Sequence, residues 1–176
     1  HLAAAQHTIA VQSFILTDDS TGRSIAEILK ERARAGVAVR VLIDGSGDRM
    51  TRDYKADLRA GGVELIVQHK YLTGFGNSLK RIPGKIFGFF KRLFGGSRPE
   101  PQERRGLFNH DHRKITVVDG QVAFIGGMNL AREYEFEWHD VHTRVRGSAV
   151  RELEELFYDR WRAAGGLLAG CWRGEN

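Results

Sequence analysis

Cysteine is almost missing from this sequence, no apolar run is long, and no segment repeats. The only cysteine, Cys171, cannot close an internal disulfide, so the fold does not depend on oxidation. Its thiol reads as buried or incidental rather than reactive. No apolar stretch approaches the ~20 residues that a bilayer-spanning helix needs, and no secretory leader is visible. The chain opens at His1 rather than Met, which reads as a piece excised from a longer product. Acidic residues are also in deficit: 27 Lys and Arg stand against 22 Asp and Glu, a net charge of +5. That excess favours anionic partners, phospholipid headgroups or nucleic acid, without choosing between them. What is present suffices for one domain, because 176 residues of which 41% are hydrophobic can bury a core of their own.

The first third alternates strand and helix signals, the pattern of an α/β domain. TIAVQSFI (Thr8 to Ile15) reads as a strand. A helix follows, with Ser24 as its cap, Glu27 completing a capping box, Ile25, Ile28 and Leu29 on one face, and Gly36 as its stop. VAVRVLID (Val37 to Asp44) reads as a buried strand, Tyr54 to Ala60 as a short helix, and VELIV (Val63 to Val67) as a third strand. Such a βαβαβ run implies parallel strands. Beyond Tyr71 the texture turns to Gly, Pro, Lys, Arg and Phe until about Phe108. Two apolar runs, KITVVD and QVAFIG, then meet at Asp119-Gly120, a tight-turn signal between strands. HDVHTRVRG reads as a further strand. A last helix is expected from Ala149 to Ala163, with Val150, Leu153, Leu156, Phe157 and Trp161 facing inward.

The chemistry concentrates in HDHRKITVVDGQVAFIGGMN, where His112, Lys114, Asp119, Gly126, Gly127 and Asn129 hold fixed spacings. On a strand, residues two apart share a side, so His112 and Lys114 are expected to project together. A nucleophilic nitrogen and a cation facing one small volume suit attack on a phosphodiester, where Lys neutralises the non-bridging oxygens as charge builds. Gly126 and Gly127 are read as clearing space for a phosphate, and the Asn129 amide as a donor to it. Each residue alone is ordinary for a β-hairpin. Together, six positions agree by chance on the order of once in 10⁵ to 10⁶ chains at residue frequencies of a few per cent. A metal site from His110, His112, His139, His142, Asp111 and Asp140 competes poorly, since Lys114 lies two residues from a ligand and would oppose a cation.

The spacing matches the HKD motif, HxKx4Dx6G(S/G)xN, and the chain resembles the first half of bacterial cardiolipin synthases within the phospholipase D superfamily. RARAGVAVRVLIDGSG, NHDHRKITVVDGQVAFIGGMNL and EYEFEWHDVHTRVRGSAV, with its W-x-D and closing G-x-A-V, carry the resemblance. It implies a phospholipase D-like α/β fold, a mixed sheet flanked by helices with the HKD strand at one edge of the active-site cleft. The expected organisation is a single domain over 1–176, the first of two halves, with a basic Phe-rich insertion at about 71–108. The implied activity is phosphodiester hydrolysis or phosphatidyl transfer on phospholipids through a phosphohistidine, with neither metal nor cofactor. His112 would be the nucleophile, or the acid that protonates the leaving group if a partner motif attacks. Lys114 and Asn129 would hold the phosphate, Asp119 would support the geometry, and Asp140 would orient the motif histidine. Superfamily sites pair two HKD motifs and this chain carries one, so a second half or a symmetric homodimer partner is implied. The location implied is peripheral, at a bacterial inner membrane.

KRIPGKIFGFFKRLFGG bears on the substrate. Wound as a helix, it sets Ile86, Phe87, Phe89, Phe90, Leu93 and Phe94 on one face and Lys85, Gly88, Lys91 and Arg92 on the other. The expected membrane contacts are Ile86, Phe87, Phe90, Leu93 and Phe94, with Lys91 and Arg92 meeting anionic phospholipid. Packing on the domain itself or on a missing half competes. Nucleic acid is disfavoured, because single-strand binders interleave aromatic and basic residues on one face. A homodimeric metal-independent endonuclease and a non-catalytic lipid-binding module are the rival functions.

Overall fold

The computed structural model describes residues 1–68 and 111–168. The Phe-rich insertion, with its expected membrane contacts, His69, His110 and Cys171 all lie outside those residues.

The parallel half of the sheet forms as the βαβαβ pattern requires. Strand β1 (Thr8–Ser13) pairs in parallel with β3 (Ala38–Asp44), and β3 with β5 (Glu64–Gln68). The crossovers are helices α1 (Ser20–Arg34) and α2 (Arg52–Ala60). A short parallel pair, β2 (Leu16–Thr17) with β4 (Asp48–Arg49), sits in the connections. The second half is antiparallel: β6 (Ile115–Val118) pairs with β1, then β7 (Val122–Gly126) with β6 and β8 (His142–Arg146) with β7. The sheet order is β5-β3-β1-β6-β7-β8, mixed as expected, with helix α3 (Arg132–Phe136) leading towards β8 and helix α4 (Ala149–Ala163) following it.

Strand periodicity sorts the core onto the two faces of the sheet. Ile9, Val11, Val39 and Val41 pack in one cluster with Leu29 of α1 and Leu58 of α2. Ala10, Leu42, Ile115, Val117 and Ala123 pack in the other with Val150, Phe157 and Trp161 of α4. Two helical expectations are corrected. Helix α1 starts a turn before Ser24, because the Asp19 carboxylate accepts from the Gly22 amide at 2.8 Å and serves as N-cap. A side chain at Gly22 would place its Cβ 1.9 Å from the Thr17 carbonyl oxygen, so only glycine lets that first turn lie against β2. In α4, Leu156 is 38% exposed and Tyr158 is buried instead. Its hydroxyl lies 3.5 Å from the guanidinium of buried Arg40, which explains why a polar-tipped ring suits that side of the helix.

Candidate active site

The β6–β7 hairpin turns at Asp119 (φ 52) and Gly120 (φ 61), both in the left-handed region, where the Gln121 amide donates to the Val118 carbonyl oxygen at 3.0 Å. Ile115 faces Ile125 and Val118 faces Val122, so the residues before β6 and after β7 return to the same end of the sheet. At that end the chain entering β6 is held by β3: Asp44 Oδ2 accepts from the Asp111 amide at 2.7 Å. Asp111 in turn accepts from Arg113 Nε at 2.8 Å, and Arg160 Nε lies 3.6 Å away. Burial pushes the Asp111 carboxyl up, but the hydrogen bonds and charge of Arg113 outweigh it and hold the group below its ordinary value.

His112 and Lys114 do meet, though not as strand neighbours, since β6 begins only at Ile115. The Lys114 amine donates to the His112 carbonyl oxygen at 2.7 Å and lies 3.4 Å from Nδ1 of the same residue. The His112 ring is exposed and stacks on Phe14, with centroids 3.9 Å apart. Lys114 is only 8% exposed. Burial lowers its pKa, and the Asp140 and Asp111 charges partly offset that. Asn129 is 6% exposed, and its Oδ1 accepts from the Ile15 amide at 3.0 Å. The opposite end of that amide, Nδ2, is left to donate.

The assignments of Gly126, Gly127 and Asp140 change. Asp119 lies at the far end of the hairpin, and its carboxylate accepts from the amides of Gln6 at 2.9 Å, His7 at 2.7 Å and Thr8 at 2.9 Å. It is a clasp on the start of β1 and stands apart from His112 and Lys114. Gly126 and Gly127 do not clear space for a phosphate, because protein already fills it. A Cβ on Gly126 would meet the Val141 carbonyl oxygen at 2.1 Å, and one on Gly127 would meet Asp140 Oδ1 at 2.1 Å. Asp140 therefore rests its carboxylate on Gly127 and accepts from the Val141 amide at 2.7 Å. Among the described residues it makes no hydrogen bond to His112.

A cavity of about 450 Å³ opens beside this cluster. Lys114, Asn129 and His142 line it together with Ile25, Phe124, Met128 and Leu130, and its wall is mostly apolar. His142 escaped the sequence reading except as a metal ligand; its position two residues after Asp140 was the available signal. Phe14 and Asp44 had none, since nothing in local spacing ties the ends of β1 and β3 to a motif some seventy residues away or more. Among the described residues no group of three His, Cys, Asp or Glu converges as metal ligands would.

No family model matches the chain. Curated proteins do. It is 33% identical over 167 residues to a cardiolipin synthase of Halalkalibacterium halodurans, and 34% identical over 167 residues to cardiolipin synthase A of Pseudomonas aeruginosa. Each match takes in 91% of this chain but only 28% and 29% of those relatives, so the chain spans little more than a quarter of their length. Among solved structures, Nuc of Salmonella typhimurium, a phospholipase D family member, superposes with TM-score 0.60 at 16% identity, over 92% of this chain and 82% of Nuc. A phosphatidylserine synthase of Haemophilus influenzae superposes with TM-score 0.51 at 14% identity, over 90% of this chain and 32% of that protein. With the HKD spacing intact and the likeness running along nearly all its length, the chain is similar to a segment of the bacterial cardiolipin synthases and has the fold of Nuc, a phospholipase D family member.

Proposed function

We propose that this chain supplies one HKD half of a phospholipase D-type site that transfers phosphatidyl groups between phospholipids, as a cardiolipin synthase does. The observation that carries the proposal is the Lys114 amine, buried, 3.4 Å from His112 Nδ1, and lining one cavity with Asn129. A buried ammonium and an amide donor suit a phosphate whose charge grows on attack. A lysine can only donate, so its approach to Nδ1 favours the His112 tautomer with the proton on Nε2. That tautomer is the acid, and it protonates the departing glycerol oxygen.

In this reading the second motif's histidine attacks phosphorus: the P–N bond forms, the P–O bond to glycerol breaks, and His112 gives up its proton. The hydroxyl of a second phosphatidylglycerol then attacks the phosphohistidine: the new P–O bond forms, the P–N bond breaks to free the second histidine, and the hydroxyl proton returns to His112. The products are cardiolipin and glycerol. Water as the acceptor would give phosphatidic acid. The second motif comes from another half of the parent protein or from a symmetric partner. Exposed Phe136, Trp138 and Val141, which flank Asp140, suit a surface that such a half covers. Attachment at the membrane is peripheral and rests on the Phe-rich segment.

The test is turnover of phosphatidylglycerol vesicles by the chain joined to, or self-associated into, a two-motif assembly, with mapping of the acid-labile phosphohistidine under alkaline conditions. His112→Ala should abolish cardiolipin formation while His139→Ala should not. Phosphate trapped on His112 itself would refute the acid assignment. Cleavage of DNA in EDTA with no action on phosphatidylglycerol would replace the lipid reading by that of a nuclease.

A further inference from the structure

The cavity beside Lys114 is larger and more apolar than a phosphate needs. Leu2, Ile25, Phe124 and Leu130 pack on the core yet stay partly exposed, and together with Met128 they line this one hollow. Apolar surface gathered in a concavity marks a binding site. From Lys114 the hollow runs along β6 as far as Thr116, which pairs with Phe124, about 7 Å of strand rise. Two hydroxyls in its wall are engaged within the protein: Ser13 Oγ donates to the Ile15 carbonyl oxygen at 2.8 Å, and Thr21 Oγ1 to the exposed Glu135 carboxylate. At the Lys114 end the chemistry differs. Lys114 is the one lysine or arginine among the described residues that line the cavity, and Asn129 stands with it, its Nδ2 left to donate.

We propose that this cavity seats an acyl chain of the phosphatidyl group, with the lipid's phosphate held at the Lys114 end. The assignment rests on the proposed phosphodiester function and narrows its substrate to one with an apolar tail. Volume decides against smaller occupants. At about 30 Å³ for a group the size of a water or a methylene, a cavity of about 450 Å³ holds roughly fifteen such groups. A single side chain from a docking partner, even tryptophan, would leave part of it empty and its wall without contacts. An ammonium and an amide at one end, with an apolar wall beyond them, match in order a phosphate and the hydrocarbon that a phospholipid carries. A nucleic-acid phosphodiester brings sugars and bases instead, and has no flexible apolar chain to place there. The hollow thus favours lipid independently of the Phe-rich segment.

The experiment titrates the 176-residue chain by calorimetry with butyl, hexyl and octyl phosphate, each below its micellar concentration, and with inorganic phosphate and octyl glucoside as controls. Each two methylenes added to the tail should tighten binding about tenfold, because both leave water. Inorganic phosphate should bind weakest of the phosphates, and octyl glucoside, which has the tail without the charge, about tenfold more weakly than octyl phosphate. Ile25→Trp fills the hollow, so octyl phosphate should then bind no tighter than butyl phosphate. A thermal scan certifies that the variant folds. In the wild-type chain, a nitroxide at the end of the octyl tail should broaden the Met128 methyl resonance, a readout that needs no variant. Affinity that ignores tail length, a tail dependence that survives in folded Ile25→Trp, or a Met128 resonance that the nitroxide leaves sharp would overturn the tail site. Equal binding of octyl glucoside and octyl phosphate would overturn it too, since the hollow would then serve no phosphate-bearing ligand. If inorganic phosphate binds and Lys114→Met removes it while tail length has no effect, the phosphodiester function stands without the tail site. If no phosphate binds the wild-type chain, both fall.

Discussion

Asp119 is the member of the motif that lies furthest from His112 and Lys114, and substitution there separates stability from chemistry. Its carboxylate takes three backbone amides, of which those of Gln6 and His7 belong to exposed residues and that of Thr8 to a buried one. In Asp119→Ala, water replaces the carboxylate at the exposed amides but not fully at Thr8, a loss of about 2 kcal/mol. Holding alanine at φ 52 adds about 1 kcal/mol. The sum is about 3 kcal/mol, which in a chain of this size lowers Tm by roughly 6–12 °C. Asp119→Asn tolerates the positive φ and keeps one carbonyl acceptor, so its cost is nearer 1 kcal/mol, or roughly 2–4 °C. Burial pushes the Asp119 carboxyl up, but the amides of Thr8, Gln6 and His7 prevail and hold it below its ordinary value of 3.8. A depressed folded pKa contributes stability that is full above the unfolded value and lost as pH falls through the folded one. The gap between wild type and Asp119→Asn should therefore be open at pH 7 and close below 3.8. Unfolding scans at both pH values, with turnover per folded molecule, decide it. Equal stability at pH 7, or turnover lost from a variant as stable as wild type, would refute the clasp.

Other consequences are as direct. Gly126→Ala drives a Cβ into the backbone carbonyl of Val141 and should cost about 2 kcal/mol, whereas Gly127→Ala meets only the movable tip of Asp140 and should cost under 1 kcal/mol by denaturant titration. The reverse order would mean that β8 is the more yielding neighbour. Lys30, buried between Glu27 at 2.8 Å and Asp57 at 2.5 Å, has its pKa raised, chiefly by Asp57. Its contribution, about 1 kcal/mol because both carboxylates are half exposed, is present below the ordinary 10.5 and is lost as pH rises through the higher folded value. Lys30→Met should therefore match wild type in strongly alkaline unfolding and fall short at neutral pH, and an equal gap at both would remove the ion pairs from the account. Replacing Phe87, Phe90 and Phe94 by Ser should release the chain from floating anionic vesicles with its thermal transition unchanged. A collapsed transition, with no vesicle binding in the wild type, would make that face core or interface.

The fold was legible wherever a local rule decided it. Buried β3 reads as a continuous apolar run, Asp119-Gly120 announces its turn, and α4 spans the residues its periodicity marks. The first turn of α1 was misread because Ser24 with Glu27 makes a sound capping box in isolation. Asp19 prevails since it caps α1 through Gly22 and also accepts from the Arg132 amide at 2.9 Å, a tertiary bond that no window of sequence contains. Strands β2 and β4 and helix α3 were missed for the same reason. Two-residue strands and a five-residue helix have too little periodicity to register, and the small strands are held by non-local pairing, Leu16 with Asp48 and with Leu130.

The site was legible as a cluster and misread as a single place. His112 and Lys114 meet, and Asn129 lines the same cavity as Lys114, while Asp119 sits at the other end of the same hairpin, four strand residues or about 13 Å of rise along β6. The motif's spacings explain why it nonetheless recurs in step with them. Four residues between Lys114 and Asp119 are the strand β6, the pair Asp119-Gly120 is the reversal, and the residues up to Gly126 are the return along β7. Shortening either interval by one would flip the alternation of side chains and carry Asn129 away from the Lys114 side of the sheet. The fixed distances thus measure a hairpin: one end brings Asn129 back to the cavity that Lys114 lines, and the turning end needs a residue that accepts φ 52 and can clasp β1. Aspartate satisfies both conditions at the turn.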